Sequence, residues 1–142
     1  MSATTIAQQF VANMGAGNVN ATLALVAPNA QVKIYPLNAE GGNEIVRDYL
    51  QQLATAFPEL TIRTRRLFVG GDNTAVVEIA IRGVQAGEFF GILDQEKLLD
   101  LDQVWMLHIT DDKIDNITAY WDQNRLYRRL AVKRQDRVTI TA

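Results

Sequence analysis

The chain has 142 residues, 48% of them hydrophobic and 21% charged, with no cysteine and one histidine, His108. This fits a single folded domain over residues 1–142, long enough to hide about 68–70% of its unfolded surface without cross-links. A cysteine-free chain excludes disulfide frameworks, thiolate metal sites and thiol nucleophiles, and one imidazole cannot build a two- or three-histidine site, so neither metal nor cofactor is expected.

Ile6, Phe10 and Met14 recur every fourth residue and predict a first helix that Gly15 and Gly17 end. Leu23, Val26 and Ala27 share one face of a second helix that Pro28 should stop. Gln31 to Pro36 alternates like a strand. Asn43 is a plausible N-cap for a third helix carrying Val46, Leu50, Leu53 and Phe57 up to Pro58. From Leu60 the period changes to two. Leu60–Val69 and Ala75–Val84 flank the turn Gly70–Asn73, and Leu98–Thr110 and Lys113–Asp122 flank Asp111-Asp112.

Asn124–Arg134 predicts a last helix within a basic segment, Arg125 to Arg137, where six basic residues face one acid, Asp136. The remainder is acidic and the formal net charge is −2, which argues against nucleic-acid binding. Apolar runs stay well below the roughly 20 residues a bilayer span needs, and Met1–Phe10 lacks the pattern of a signal peptide. A cytoplasmic protein with no membrane contact is expected. Helices followed by long antiparallel strands predict an α+β fold with helices over one sheet face.

Three stretches, "FPEL" at Phe57–Leu60, "AGEFFGI" at Ala86–Ile92, and "DDKI" with "YWDQNRL" between Asp111 and Leu126, resemble the SnoaL-like polyketide cyclases of the nuclear-transport-factor-2-like superfamily. The likeness covers almost the whole chain. It implies a cone of helices closing on a bent antiparallel sheet, a ligand cavity inside, and a homodimer through the outer sheet face. Two positions depart from the family pattern: Leu93–Lys97 is acidic where a Pro/Gly-rich loop is common, and Ala119 stands where many members carry an acid.

With Asp111-Asp112 as the turn, Thr110 opposes Lys113 and the pairing fixes which residues share a face. Leu101, Gln103, Trp105, Leu107 and Ile109 then fall with Asp122, Tyr120, Thr118, Asn116 and Ile114, the face assigned to the cavity. Val104, Met106 and His108 fall with Ala119, Ile117 and Asp115, and the Val104, Met106, Ile117, Ala119 strip is expected to form the dimer.

Asp122, at the cavity end of its strand, is the candidate acid/base, and the resemblance agrees in that cyclases use an aspartate there. Its position before the last helix equally suits an N-cap. Gln103, Trp105 and Tyr120, with Tyr35, Tyr49 and Phe89, are the candidate ligand contacts, although aromatics on a sheet face are more often plain core. His108 is expected to pair with Asp115 on the solvent side. The expected ligand is a small apolar or aromatic oxygenated molecule. The expected chemistry is a cofactor-free intramolecular aldol or proton transfer, with a non-catalytic binding module for a hydrophobic ligand or protein partner as the alternative.

Overall fold

The computed structural model describes residues 1–132. Helix α1 (Ala3–Gly15) opens on Ser2, whose Oγ accepts from the Thr5 amide, and buries Ile6, Phe10 and Met14 as the spacing predicted. A short α2 (Val19–Leu23) leads into β1 (Val26–Ile34), a single 3₁₀ turn (Tyr35–Leu37) and β2 (Ala39–Gly41). Helix α3 (Asn43–Ala56) starts one residue earlier than the Asn43 cap implies. Gly42 holds the cap position, and Glu44 reaches back to accept from its amide at 2.9 Å. Strands β3 (Thr61–Val69), β4 (Thr74–Val84), β5 (Leu98–Thr110) and β6 (Lys113–Trp121) follow, then α4 (Gln123–Arg129).

The strands form one sheet in the order β2-β1-β6-β5-β4-β3. All neighbours are antiparallel except β1 and β6, whose parallel pairing sequence patterning did not reveal. The second helix is shorter than expected because Val26 to Ala30 joins β1. Pro28 is tolerated there because it lies between Val26↔Ile114 and Gln31↔Asn116, where the ladder is irregular and a missing N–H breaks nothing. The last helix ends at Arg129, sooner than Arg134, with Ala131 at φ +61°; the basic residues Lys133, Arg134 and Arg137 lie outside the described residues.

The β5–β6 register decides what faces inward. Asp111 and Asp112 both take positive φ, as a two-residue hairpin turn of the type I′ sort needs, and Thr110↔Lys113 and Ile109↔Ile114 pair as expected. A bulge at Asp115 then shifts the pairing by one, giving His108↔Asn116 and Trp105↔Ala119. Every later side chain of β6 changes face. Ile117 and Ala119 are therefore buried inside, not on the expected dimer strip, and Tyr120 points outward, not into the interior. The signal was legible: Ile114 and Ile117 are three apart, and two apolar residues at odd spacing share a face only across a bulge.

The interior lies between one sheet face and helices α1 and α3, filled by Phe10, Leu53, Ile79, Leu101, Trp105 and their neighbours. Among the described residues no helix is long and apolar enough to cross a membrane.

Candidate ligand site

Three polar side chains meet in this apolar interior. Tyr49 projects from the buried stripe of α3, and Gln103 and Trp105, two apart on β5, point to the same side. The Gln103 amide joins them: Nε2 donates to the Tyr49 hydroxyl at 2.9 Å, and Oε1 accepts from Trp105 Nε1 at 3.0 Å. All three are at most 1% exposed. Burial pushes the Tyr49 phenol well above its usual pKa, so it is a neutral hydrogen-bond donor at any physiological pH; the Gln103 bond offsets only part of that. Its oxygen accepts from Gln103, and its own proton meets no acceptor among the described residues.

Aromatic rings surround the phenol. Trp105 and Trp121 lie 5.5 and 5.6 Å from it centroid to centroid, Phe90 stacks on it at 6.3 Å, and Phe89 meets it edge-on at 6.4 Å. Phe89 and Phe90 belong to the loop between β4 and β5, and their far side lines a mouth of about 330 Å³ with Leu37, Ile92, Leu126 and Tyr127. The polar trio is therefore one aromatic layer below an apolar opening at the end of the cone.

Among the described residues the interior holds no carboxylate, amine, guanidinium or imidazole. Among the described residues the buried polar side chains beside Tyr49 are Thr22, Gln85 and Gln103, and no Asp, Glu, Lys, Arg or His is buried. The position opposite Trp105 is Ala119. Asp122 is exposed and caps α4, its Oδ1 accepting from the Arg125 amide at 3.1 Å. The neighbouring Gln123 reaches the mouth and accepts from Trp121 Nε1 at 2.6 Å.

The structure thus brings Tyr49, Gln103, Trp105 and Phe89 together and leaves the others apart. Tyr35 and Tyr120 stack on each other on the outer sheet face, 4.7 Å apart at 12°, with the Lys33 ammonium 4.7 Å from the Tyr35 ring centre. Sequence reasoning did not place Phe90 among the candidate contacts, and it missed Trp121. Phe90 was adjacent to a named candidate, and Trp121 turns inward only because of the Asp115 bulge.

The outer face carries a second, polar groove of about 630 Å³, lined by Gln31, Thr74, Met106, Asn116 and the expected His108–Asp115 pair. His108 Nδ1 lies 2.7 Å from Asp115 Oδ1, with both side chains about one-third exposed. The hydrogen bond that His108 donates to Asp115 raises the imidazole above its ordinary pKa, and the same bond lowers the carboxylate below its own.

Helices closed over one face of a six-stranded sheet, with an aromatic interior between them, define an α+β cone of the nuclear-transport-factor-2-like kind. The sequence profile of the SnoaL-like polyketide cyclases matches residues 4–130, and the chain belongs to that family. Solved structures agree on the fold. AclR from Streptomyces galilaeus, proposed to be a hydroxylase, superposes with a TM-score of 0.81 at 16% identity, over 92% of this chain and 81% of its own. A protein from Jannaschia sp. CCS1, proposed to be a SnoaL-like polyketide cyclase, gives 0.80 at 16% identity over 91% of each chain. IdmH from Streptomyces antibioticus, proposed to be a polyketide cyclase, gives 0.78 at 16% identity, over 92% of this chain and 99% of its own. No curated protein matches the chain in sequence.

Proposed function

We propose that this chain acts on a small, largely apolar, oxygenated molecule that enters at the cone's mouth and places a carbonyl oxygen on the Tyr49 hydroxyl. The observation that carries this reading is a buried phenol whose oxygen is already held by Gln103 and whose proton has no acceptor among the described residues. A donor fixed in a buried aromatic site gains strength as negative charge builds on the oxygen it faces, which is the electrostatic half of enolisation or aldol closure; the methylene proton passes to solvent water at the mouth, since among the described residues the interior holds no carboxylate, amine or imidazole to take it. Kinship with polyketide cyclases supports chemistry of that kind without a cofactor. Asp122 is not the residue the geometry favours for acid/base work, because its carboxylate already serves the α4 amide and is not among the residues lining the mouth.

A second reading, a non-catalytic binding module, is favoured by one observation: among the described residues no carboxylate or imidazole is buried in the interior to take a proton. A naphthalene-bearing 1,3-diketone separates the two. Binding, read by quenching of tryptophan emission, should weaken about tenfold in Tyr49→Phe, the loss of one good hydrogen bond. Equal affinity in the variant and the parent would overturn the Tyr49 reading. Deuterium exchange of the diketone methylene, followed by NMR, should be accelerated by the parent if it is an enzyme and left at the solvent rate if it only binds.

We propose in addition a homodimer through the outer sheet face. The residues that support it are not the expected four. Val104 and Met106 remain, joined by Phe68 and Val76, since Phe68, Val76 and Met106 are consecutive cross-strand partners and Phe68 is 59% exposed.

A further inference from the structure

Tyr49 is 1% exposed, so if it meets a ligand, as proposed above, one wall of the mouth has to move. Two of the three walls are anchored. Helix α4 is held by its Asp122 cap, by Arg125 Nε donating to the Asp100 carbonyl at 3.0 Å, and by Gln95 Nε2 donating to the Leu130 and Ala131 carbonyls. Strand β2 is laddered onto β1 from Ala39 to Gly41.

The third wall, the loop after β4, has a firm base and a loosely held tip. At the base the Gln85 amide donates to Lys97 O at 3.0 Å and the Ala86 amide to Ala56 O at 2.7 Å. The Gln85 side chain braces both ends of the tip, Nε2 donating to Gly87 O and to Ile92 O at 3.0 Å each. Its Oε1 is left buried and unpaired, which fits an amide oriented to hold those two carbonyls. A Cβ at Gly87 would stand 3.2 Å from Thr55 O, so the base sits tightly on the end of α3.

Beyond Gly87 the attachment thins. Phe89 and Ile92 exchange backbone bonds only with each other, and the turn between them places Phe90 at φ +45° and Gly91 at φ +81°. Among the described residues, one hydrogen bond ties the tip to the body of the protein: the Phe90 amide donates to Gln52 Oε1, on α3, at 2.9 Å. The rings it carries are the two that cover Tyr49.

We infer that the Glu88–Gly91 tip is a gate over Tyr49, latched by Gln52 and hinged on the base that Gln85 braces. Lifting the tip breaks one hydrogen bond to the body, draws the buried Phe89 ring away from Phe57 and Tyr49, releases Phe90 from a left-handed conformation and opens the mouth onto the phenol. Moving either other wall breaks several bonds at once.

The test removes and restores the latch. In a Trp121→Phe background the buried Trp105 is the single indole. Gln52→Ala should raise acrylamide quenching of Trp105, and hydrogen exchange at the Phe90 amide, about three- to tenfold, as the loss of one neutral hydrogen bond implies. Gln52→Glu keeps the acceptor and should match the parent. An unchanged Gln52→Ala, or an equal rise in both variants, overturns the latch.

Because the chain has no cysteine, Gln52→Cys with Phe90→Cys can close the gate covalently. The oxidised form should take up the naphthyl diketone more slowly than the same variant reduced, and equal rates would overturn the gate. A diketone that binds neither parent nor variant removes the ligand reading, while quenching and exchange still decide the gate.

Discussion

Strand β5 carries the interior site and the outer groove on alternate residues. Gln103 and Trp105 face a space where every hydrogen bond joins neutral groups, whereas His108, three residues on, faces a groove where the contacts are ionic. The same contrast holds across the sheet: Arg65 pairs with Asp102 at 3.2 Å and Arg66 with Glu78 at 3.0 Å, all on the wet side. Charge taken out of water costs several kcal/mol per ion, so a closed aromatic interior can hold an amide, an indole and a phenol but not a bare carboxylate. Exposed pairs cost little to form and contribute about 0–1 kcal/mol each. The strand's two faces therefore differ in how much a single substitution should matter.

The largest expected effect comes from the interior. Trp105→Ala removes a fully buried ring and leaves Gln103 Oε1 without a donor, and should cost about 3–5 kcal/mol in urea unfolding. Met106→Lys, one residue along and 37% exposed, should change monomer stability by no more than about 0.5 kcal/mol. Its effect belongs to assembly: sedimentation should show the parent as a dimer at micromolar concentration and this variant as a monomer. Similar destabilisation by both substitutions would break the contrast between the faces, and a monomeric parent would remove the dimer.

An intermediate effect is expected at the border between the faces. Asp122→Ala should cost about 0.5–2 kcal/mol and Asp122→Asn should restore most of it, since either side chain caps a helix. With the diketone, Asp122→Asn should keep the parent's exchange rate. A stable but inactive Asn variant would return the catalytic role to Asp122.

Much of this fold was legible because periodicity reports burial. The α1 and α3 stripes, the two hairpins and the ends of β5 follow from where apolar residues recur. What patterning could not supply is pairing between distant segments: the parallel β1–β6 contact joins residues more than 80 apart and leaves no local mark. The placement of the candidates was legible to the extent that it depends on β5 and α3, which are regular, so Gln103, Trp105 and Tyr49 meet in the interior as the patterning implies. It failed at β6, where one extra residue turned Tyr120 outward and Trp121 inward. The Asp122 cap was legible as the alternative, because an aspartate directly before the last helix suits one; α4 starts at Gln123, one residue before the expected Asn124, and so brings the Arg125 amide within its reach.

The smallest expected effect lies in the outer groove and depends on pH. The Asp115 bulge places its carboxylate on His108 Nδ1, which raises the imidazole above its ordinary 6.5 and lowers the carboxylate below its ordinary 3.8, and Asp72 adds to the favourable field at His108. A raised histidine contributes stability that is complete below 6.5 and is lost as pH rises through its folded value. A lowered aspartate contributes stability that is complete above 3.8 and is lost as pH falls through its own. The pair therefore stabilises most between those limits and fades on both sides. Comparing parent with His108→Gln by urea unfolding, the difference should be largest near pH 5.5, at most about 1 kcal/mol for so exposed a pair, and should shrink as pH is raised past 7. Added salt should reduce it at the lower pH and leave it unchanged at the higher. A difference that stays constant across the range would mean that the 2.7 Å contact holds the bulge as a neutral hydrogen bond, and the ionic character assigned to the outer face would then not extend to His108.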